Sequence, residues 1–347
     1  MPHDAAPEAA VPDDTPPATS PPITSAPRRP TAGRVALQLV GFLLGCALVA
    51  WCAMRAFRDG GEGFAKLRAA DPALVAVLLA ATTVSIACSG ATFWALVRPI
   101  RRLGMIEMQA VNLMASLFNY APVRLGLVLR CAFHWRVERM PATELGAWIA
   151  AVAIVTLGTL GAGLAAGLAQ IAIGRETPSL DLLWFAAYGA CLLAGATVLL
   201  LFGRLPLLRR FLKGGERALG EPRALATSLA FRSVDLAMWS LRMWAAAKIV
   251  GVELGPAQAA LLASVAVLGA GNPLGRIGWR EALVAVVAPY VVGGEATGES
   301  LESLTSQLAL LESAGEAVVT IPLGALGALW CARAVRRAGA ARVPSTA

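Results

Sequence analysis

The feature that most constrains this chain is a series of apolar blocks, each about as long as a bilayer core is thick. Six stretches have that length: Val35–Ala56, Pro72–Leu96, Thr143–Ile173, Leu180–Phe202, Ala224–Val250 and Leu304–Trp330. A helix rises about 1.5 Å per residue, so about 20 residues cross a hydrocarbon core of roughly 30 Å. In lipid no water is present to satisfy backbone N–H and C=O groups, and a helix satisfies them within one segment. Composition agrees. Of 347 residues, 57% are hydrophobic and 15% are charged, where about 25% charged is usual for a soluble domain. An ordinary soluble enzyme or soluble nucleic-acid binder is excluded. The fold class expected is an all-α polytopic membrane protein with about six transmembrane helices.

Two further apolar regions, Met105–Met140 and Ala257–Val292, are interrupted. Each is a short run of about 14 residues, a polar break and a second short run. Such a run rises only about 21 Å as a helix, less than the core. These regions read as two re-entrant or broken helical hairpins. The breaks are alike: Asn119, Pro122, Arg124 and Gly126, with Arg130 beyond, and then Asn272, Pro273, Gly275, Arg276 and Gly278, with Arg280 and Glu281 beyond. Irregular backbone at membrane depth is tolerated where it is buried in protein or lines a cavity. Paired, Gly/Pro-interrupted segments in the two halves of a chain point to a transporter-type binding site.

The charge pattern supplies a topology. The excess of 30 Lys and Arg over 22 Asp and Glu gives a net charge of +8, which suits either nucleic acid or the cytoplasmic face of a membrane. Position decides for the membrane, because the cations gather at the ends of apolar blocks. Arg98, Arg101 and Arg102 follow the second block, six cations lie between Arg204 and Arg223, and Arg333, Arg336 and Arg337 follow the last. Loops 251–256 and 293–303 hold no Lys or Arg. The positive-inside rule then puts both termini in the cytoplasm, with the two hairpins entering from opposite sides as an inverted repeat. Loop 55–71, with Arg55, Arg58, Lys66 and Arg68, runs against this pattern. The domain reading is a Pro-rich tail over 1–33, holding nine of the 21 prolines and expected to be disordered, an integral membrane domain over 34–335, and a short basic tail over 336–347. The first apolar run starts too late for a signal peptide.

The two breaks, N-x-x-P-x-R-x-G-x-x-x-R and P-x-G-x-x-G-x-R-E, together resemble the flippase-like membrane domain of lysylphosphatidylglycerol synthases, which also occurs as stand-alone membrane proteins. The Phe93-Trp94-Ala-Leu-Val-Arg98 end of the second span fits the same family, as do the order and number of segments over roughly 35–335. Where that family has Glu after the glycine of its first motif, this chain has Leu127. Where it often has Arg in the last helix, this chain has Glu312 and Glu316. The resemblance implies lipid translocation or another lipid-handling role in the cell membrane. Only 17 residues follow Trp330, leaving no room for the family's soluble aminoacyl-transferase domain, so lysyl transfer is not expected.

Charges at membrane depth are costly and are paired or functional. Asn119, Arg124, Arg130, Asn272, Arg276 and Arg280 are the candidate lipid-headgroup residues, since Arg beside a half-helix start suits a phosphate. They serve equally as caps on the broken helices. Glu281 is either the ion partner of Arg280 or Arg276, or a proton-linked carboxylate. Arg232, Asp235 and Arg242 share one face of the fifth span, as an ion-pair set or a polar path. Glu312 and Glu316 lie one turn apart on the last span. They suit proton coupling, pairing with Arg232, Arg242 or Arg276, or acid/base hydrolysis. With His3 and His134 the only histidines and no C-x-x-C among six cysteines, no metal or cofactor is expected. Trp51, Trp94, Trp148, Trp184 and Trp330 read as interface anchors. The function expected is translocation of a phospholipid or polyprenyl-phosphate-type lipid. A membrane-embedded lipid-modifying enzyme and a scaffold for an envelope-lipid pathway are the alternatives. Partners expected are membrane lipids, with a second copy or an envelope-lipid enzyme also compatible, and no nucleic acid.

Overall fold

The computed structural model describes residues 32–57, 68–121, 125–173, 179–203, 216–271, 278–292 and 299–340. Residues 1–31 of the N-terminal tail lie outside them, as do Pro122, Arg124, Asn272, Pro273, Gly275 and Arg276. Every regular element among the described residues is a helix. In chain order these are α1 (Ala32–Ala56), α2 (Pro72–Val97), α3 (Met105–Phe118), α4 (Leu125–Arg136), α5 (Ala142–Ala172), α6 (Leu182–Gly203), α7 (Glu216–Gly220), α8 (Pro222–Val250), α9 (Pro256–Ala270), α10 (Trp279–Val292) and α11 (Glu299–Ala340). Among the described residues, five windows are long and apolar enough to cross a membrane: 39–56, 72–97, 142–172, 182–201 and 301–339.

The helix starts follow local chemistry. At α2 the Asp71 carboxylate accepts from the N–H of Ala73 at 2.8 Å, and Pro72 takes the first helical position, where its missing N–H costs nothing. Pro222 and Pro256 open α8 and α9 in the same way. Helix α8 stops at Gly251, whose φ of 82° is a left-handed conformation that glycine adopts without a Cβ clash.

The two interrupted regions are helical hairpins, α3–α4 and α9–α10. In the first, a Cβ on Gly126 would collide with the carbonyl of Ala115 and the side chain of Asn119, so this glycine lets α4 fold back on α3. In the second, Gly278 has φ of 83° and its Cα lies against the backbone of Gly45, so α10 begins pressed on α1.

Helix α8 is the element where sequence and structure differ in kind. It is 29 residues long, enough to span, yet Arg223, Arg232, Asp235, Arg242 and Lys248 keep it out of the apolar set. Its central charges are turned inward: Asp235 and Arg242 are each 1% exposed. It packs most extensively on α2. Helix α6 is the opposite case, with no residue of its span buried and Leu182, Phe185, Leu193 and Leu201 facing outward, as a lipid-facing helix requires. Helix α11 runs unbroken through Pro322 for 42 residues, about 63 Å at 1.5 Å per residue. One apolar core gathers Met243, Leu262, Val284 and Leu308 from α8 to α11. A second gathers Leu96, Met140, Trp148 and Leu225. Trp148 is no interface anchor. It is fully buried, packs edge-on to Phe93 and His134, and donates to the carbonyl of Phe93 at 3.0 Å.

Candidate functional site

Ser85 is the fourteenth residue of α2 and Asp235 the fourteenth of α8. The two helices run antiparallel, so these residues meet at mid-height, where the Ser85 hydroxyl donates to the Asp235 carboxylate. A cavity of about 390 Å³ opens here, within the roughly 300–1,000 Å³ of small-molecule sites. One wall is the α2 stripe Ser85, Ser89 and Thr92, spaced to share a helix face. Asn112 and Ser116 of α3, Asn119 just after its C-terminus, Arg130 of α4, Thr156 of α5, and Arg232, Asp235, Trp239 and Arg242 of α8 complete most of the polar lining. Ala270 and Gly271 at the end of α9 also reach it. The described ends of both hairpins therefore converge on one cavity. The first hairpin leaves the end of the α2–α8 pair that carries Arg98, and the second leaves the opposite end, after Val250.

Among the described residues, three cations and two anions line this space: Arg130, Arg232 and Arg242 against Asp235 and Glu316. Two of the cations are neutralised. Arg232 pairs with Asp235. Arg242 pairs with Glu312, and with Glu316 at 2.9 Å, and lies over the Trp239 ring at 4.3 Å.

Arg130 is different. It is 5% exposed and forms no ion pair among the described residues. Its Nη2 donates to Asn112 Oδ1 at 2.6 Å, while the Asn112 amide donates to the carbonyl of Ile86 at 3.0 Å. Its guanidinium sits 3.5 Å from the centre of the Phe93 ring. Its Nη1 is buried without a partner. A buried guanidinium with a free donor, beside a polar cavity, is a ready site for an anionic oxygen.

Beneath the cavity lies a denser ionic cluster. Arg280 pairs with Glu316, with Glu281 at 3.3 Å and with Glu312 at 3.4 Å, and donates to Ser313. Glu281 accepts from Ser313 and, at 2.8 Å, from the N–H of Gly278. All of these charged groups are buried. The cluster ties the start of α10 to α8 and α11. Of the candidate headgroup residues, Asn119 and Arg130 thus line the cavity, Arg280 is held in the cluster, and Arg124, Asn272 and Arg276 lie outside the described residues. Of the second set, Arg232, Asp235, Arg242 and Glu316 face the cavity, and Glu281 and Glu312 sit in the cluster. Ser85, Ser89, Thr92, Asn112 and Trp239 were not singled out from sequence, and Phe93 entered only through the family resemblance of the second span's end. The spacing of the α2 hydroxyls was the one available signal.

These features define a multi-pass, all-α membrane protein whose polar cavity is enclosed by long helices and two hairpins that approach from opposite ends. The chain belongs to the family described as the lysylphosphatidylglycerol synthase TM region, whose model matches residues 38–298. The matched region includes both hairpins and Arg130 and ends before Glu312 and Glu316. Family membership associates the protein with membrane lipids. None of the curated proteins matches the chain.

Proposed function

We propose that the protein is a lipid translocase that admits the anionic headgroup of a phospholipid or polyprenyl-phosphate-type lipid to the cavity beside Arg130. The observation that carries this reading is the buried Arg130 guanidinium with an unpartnered Nη1. A lone buried cation costs several kcal/mol of desolvation, and a phosphate oxygen at Nη1 offsets that cost. The hydroxyls of Ser89 and Ser116 and the amide of Asn119 offer further hydrogen bonds to a headgroup. The acyl chains stay in lipid outside the helices. Convergence of the two hairpins from opposite ends supports access to one site from both leaflets.

In this reading both termini are cytoplasmic and the membrane is the cell membrane. The meeting of Arg98 and Arg102 with Arg223 at one end of the α2–α8 pair fits that orientation. A lipid-modifying enzyme is the weaker reading, because Glu281 and Glu312 are engaged by arginines and serine, leaving them poorly placed as acid or base. Mass spectrometry of lipids co-purified with the protein tests the proposal. The wild type should carry an anionic phosphate lipid that Arg130→Gln lacks. Equal recovery from both proteins contradicts it.

A further inference from the structure

A second concave basic site lies away from the cavity, where α2 ends and α8 begins. It is a pocket of about 300 Å³ lined by Trp94, Arg98 and Arg102 on one side and Glu221, Arg223 and Thr227 on the other. Among the described residues, none of its three arginines forms an ion pair and Glu221 is the sole acid in its lining. The pocket therefore carries a formal charge of two positive units. Two further features add to its pull on anions. Arg223 and Ala224, in the first turn of α8, have N–H groups without intrahelical acceptors, and the positive end of a 29-residue helix points the same way. The Glu221 carboxylate does not cap that end.

The pocket is also built rather than incidental. Arg98 lies over the Trp94 ring at 4.8 Å. The Trp94 indole N–H donates to the carbonyl of Leu103 at 3.2 Å, fixing the turn that carries Arg98 and Arg102. Residue 97 is the last of α2 and 222 the first of α8. The pocket thus sits at the level where an apolar span meets the headgroup layer.

We propose that this pocket is a binding site for the phosphodiester headgroup of an anionic phospholipid in the leaflet facing Arg98, separate from the transported lipid. Charge complementarity, a flanking indole and a position at the span end all suit a lipid phosphate. Its occupant bridges the ends of α2 and α8, the pair whose middle forms the cavity, and so steadies the site without entering it.

The test is native mass spectrometry of the full chain released from phosphatidylcholine nanodiscs, with and without phosphatidylglycerol. Each exposed Arg contributes about 1 kcal/mol toward an anionic headgroup, about fivefold in retention. Arg98→Gln should therefore lower retention of phosphatidylglycerol about fivefold, and the triple variant Arg98→Gln, Arg102→Gln, Arg223→Gln by about a hundredfold. Glu221→Gln should raise it, which keeps the proposal testable if the triple variant does not fold. The same variants are read in an Arg130→Gln background, where the cavity makes no contribution and each should still lower retention by these factors, so failure here and failure of the cavity reading remain distinguishable. Inorganic phosphate should fail to displace the lipid. Unchanged retention in Arg98→Gln together with Glu221→Gln overturns the proposal. So does displacement by phosphate alone, which would mark an ion site rather than a lipid site.

Discussion

Replacing Arg130 by Gln separates a ligand-binding cation from a structural one. The substitution removes a charge that is 5% exposed. On the structural side it loses the contact with Phe93 at 3.5 Å, worth about 2 kcal/mol when desolvated, and the charge-assisted Asn112 hydrogen bond, worth about 1.5–3 kcal/mol. Against these losses stands the relief of several kcal/mol of desolvation. The lipid-free protein in detergent should therefore keep its melting temperature or gain slightly. On the ligand side, a charge-assisted hydrogen bond to phosphate contributes about 1.5–3 kcal/mol, so the Kd for a short-chain phosphatidylglycerol should rise roughly 10- to 150-fold. Calorimetric titration in detergent and a thermal scan read the two effects separately. A large fall in melting temperature with an unchanged Kd would refute the reasoning and make Arg130 a brace between α4 and α3.

Three further outcomes follow from the geometry. Glu316→Gln strips an acid from both Arg242 and Arg280, and breaking a buried pair costs about 3–5 kcal/mol, so thermal scans should show a strongly destabilised protein whatever lipid is present. Gly126→Leu forces a side chain into the Ala115 carbonyl and should splay the first hairpin at a cost of about 1–3 kcal/mol, seen as faster proteolysis near that turn. Burial, with the neighbouring Glu107 carboxyl, pushes the Glu138 pKa up to about 7 from 4.5. The folded state then holds a proton that the unfolded chain has already released. Its stabilising effect is complete below 4.5 and is lost as pH rises to about 7. Melting temperature should decline across that window in the wild type and be flatter there in Glu138→Gln.

Much of the architecture was legible because bilayer thickness fixes the length of an apolar span. The ends of α2 differ from the expected block by one residue, and both hairpins lie where Gly/Pro breaks interrupted short runs. Helix α8 reads as a span from its length, but its charges become compatible with the interior only when acids from other helices meet them. That neutralisation is invisible locally: Arg242 and Glu312 are 70 residues apart. For the same reason the sequence flagged ten charges at membrane depth without showing that Arg130 is left over. The uncharged lining was missed because isolated serines and threonines are common in apolar helices, where they satisfy themselves on the preceding turn, as Thr92 does at 2.9 Å. Trp148 was misjudged as an anchor because nearness to a span end says nothing of which face carries the residue.

The central claim is that one cavity, organised around Arg130, moves anionic lipid between leaflets. Reconstituted proteoliposomes holding fluorescent phosphatidylglycerol, phosphatidylcholine or a short polyprenyl phosphate measure this directly through quenching of the outer leaflet. The account predicts that wild-type protein accelerates exchange of at least one anionic probe, with Arg130→Gln returning it to the protein-free rate and phosphatidylcholine little affected. Exchange of every probe at the protein-free rate, or equal acceleration by wild type and Arg130→Gln, would contradict it.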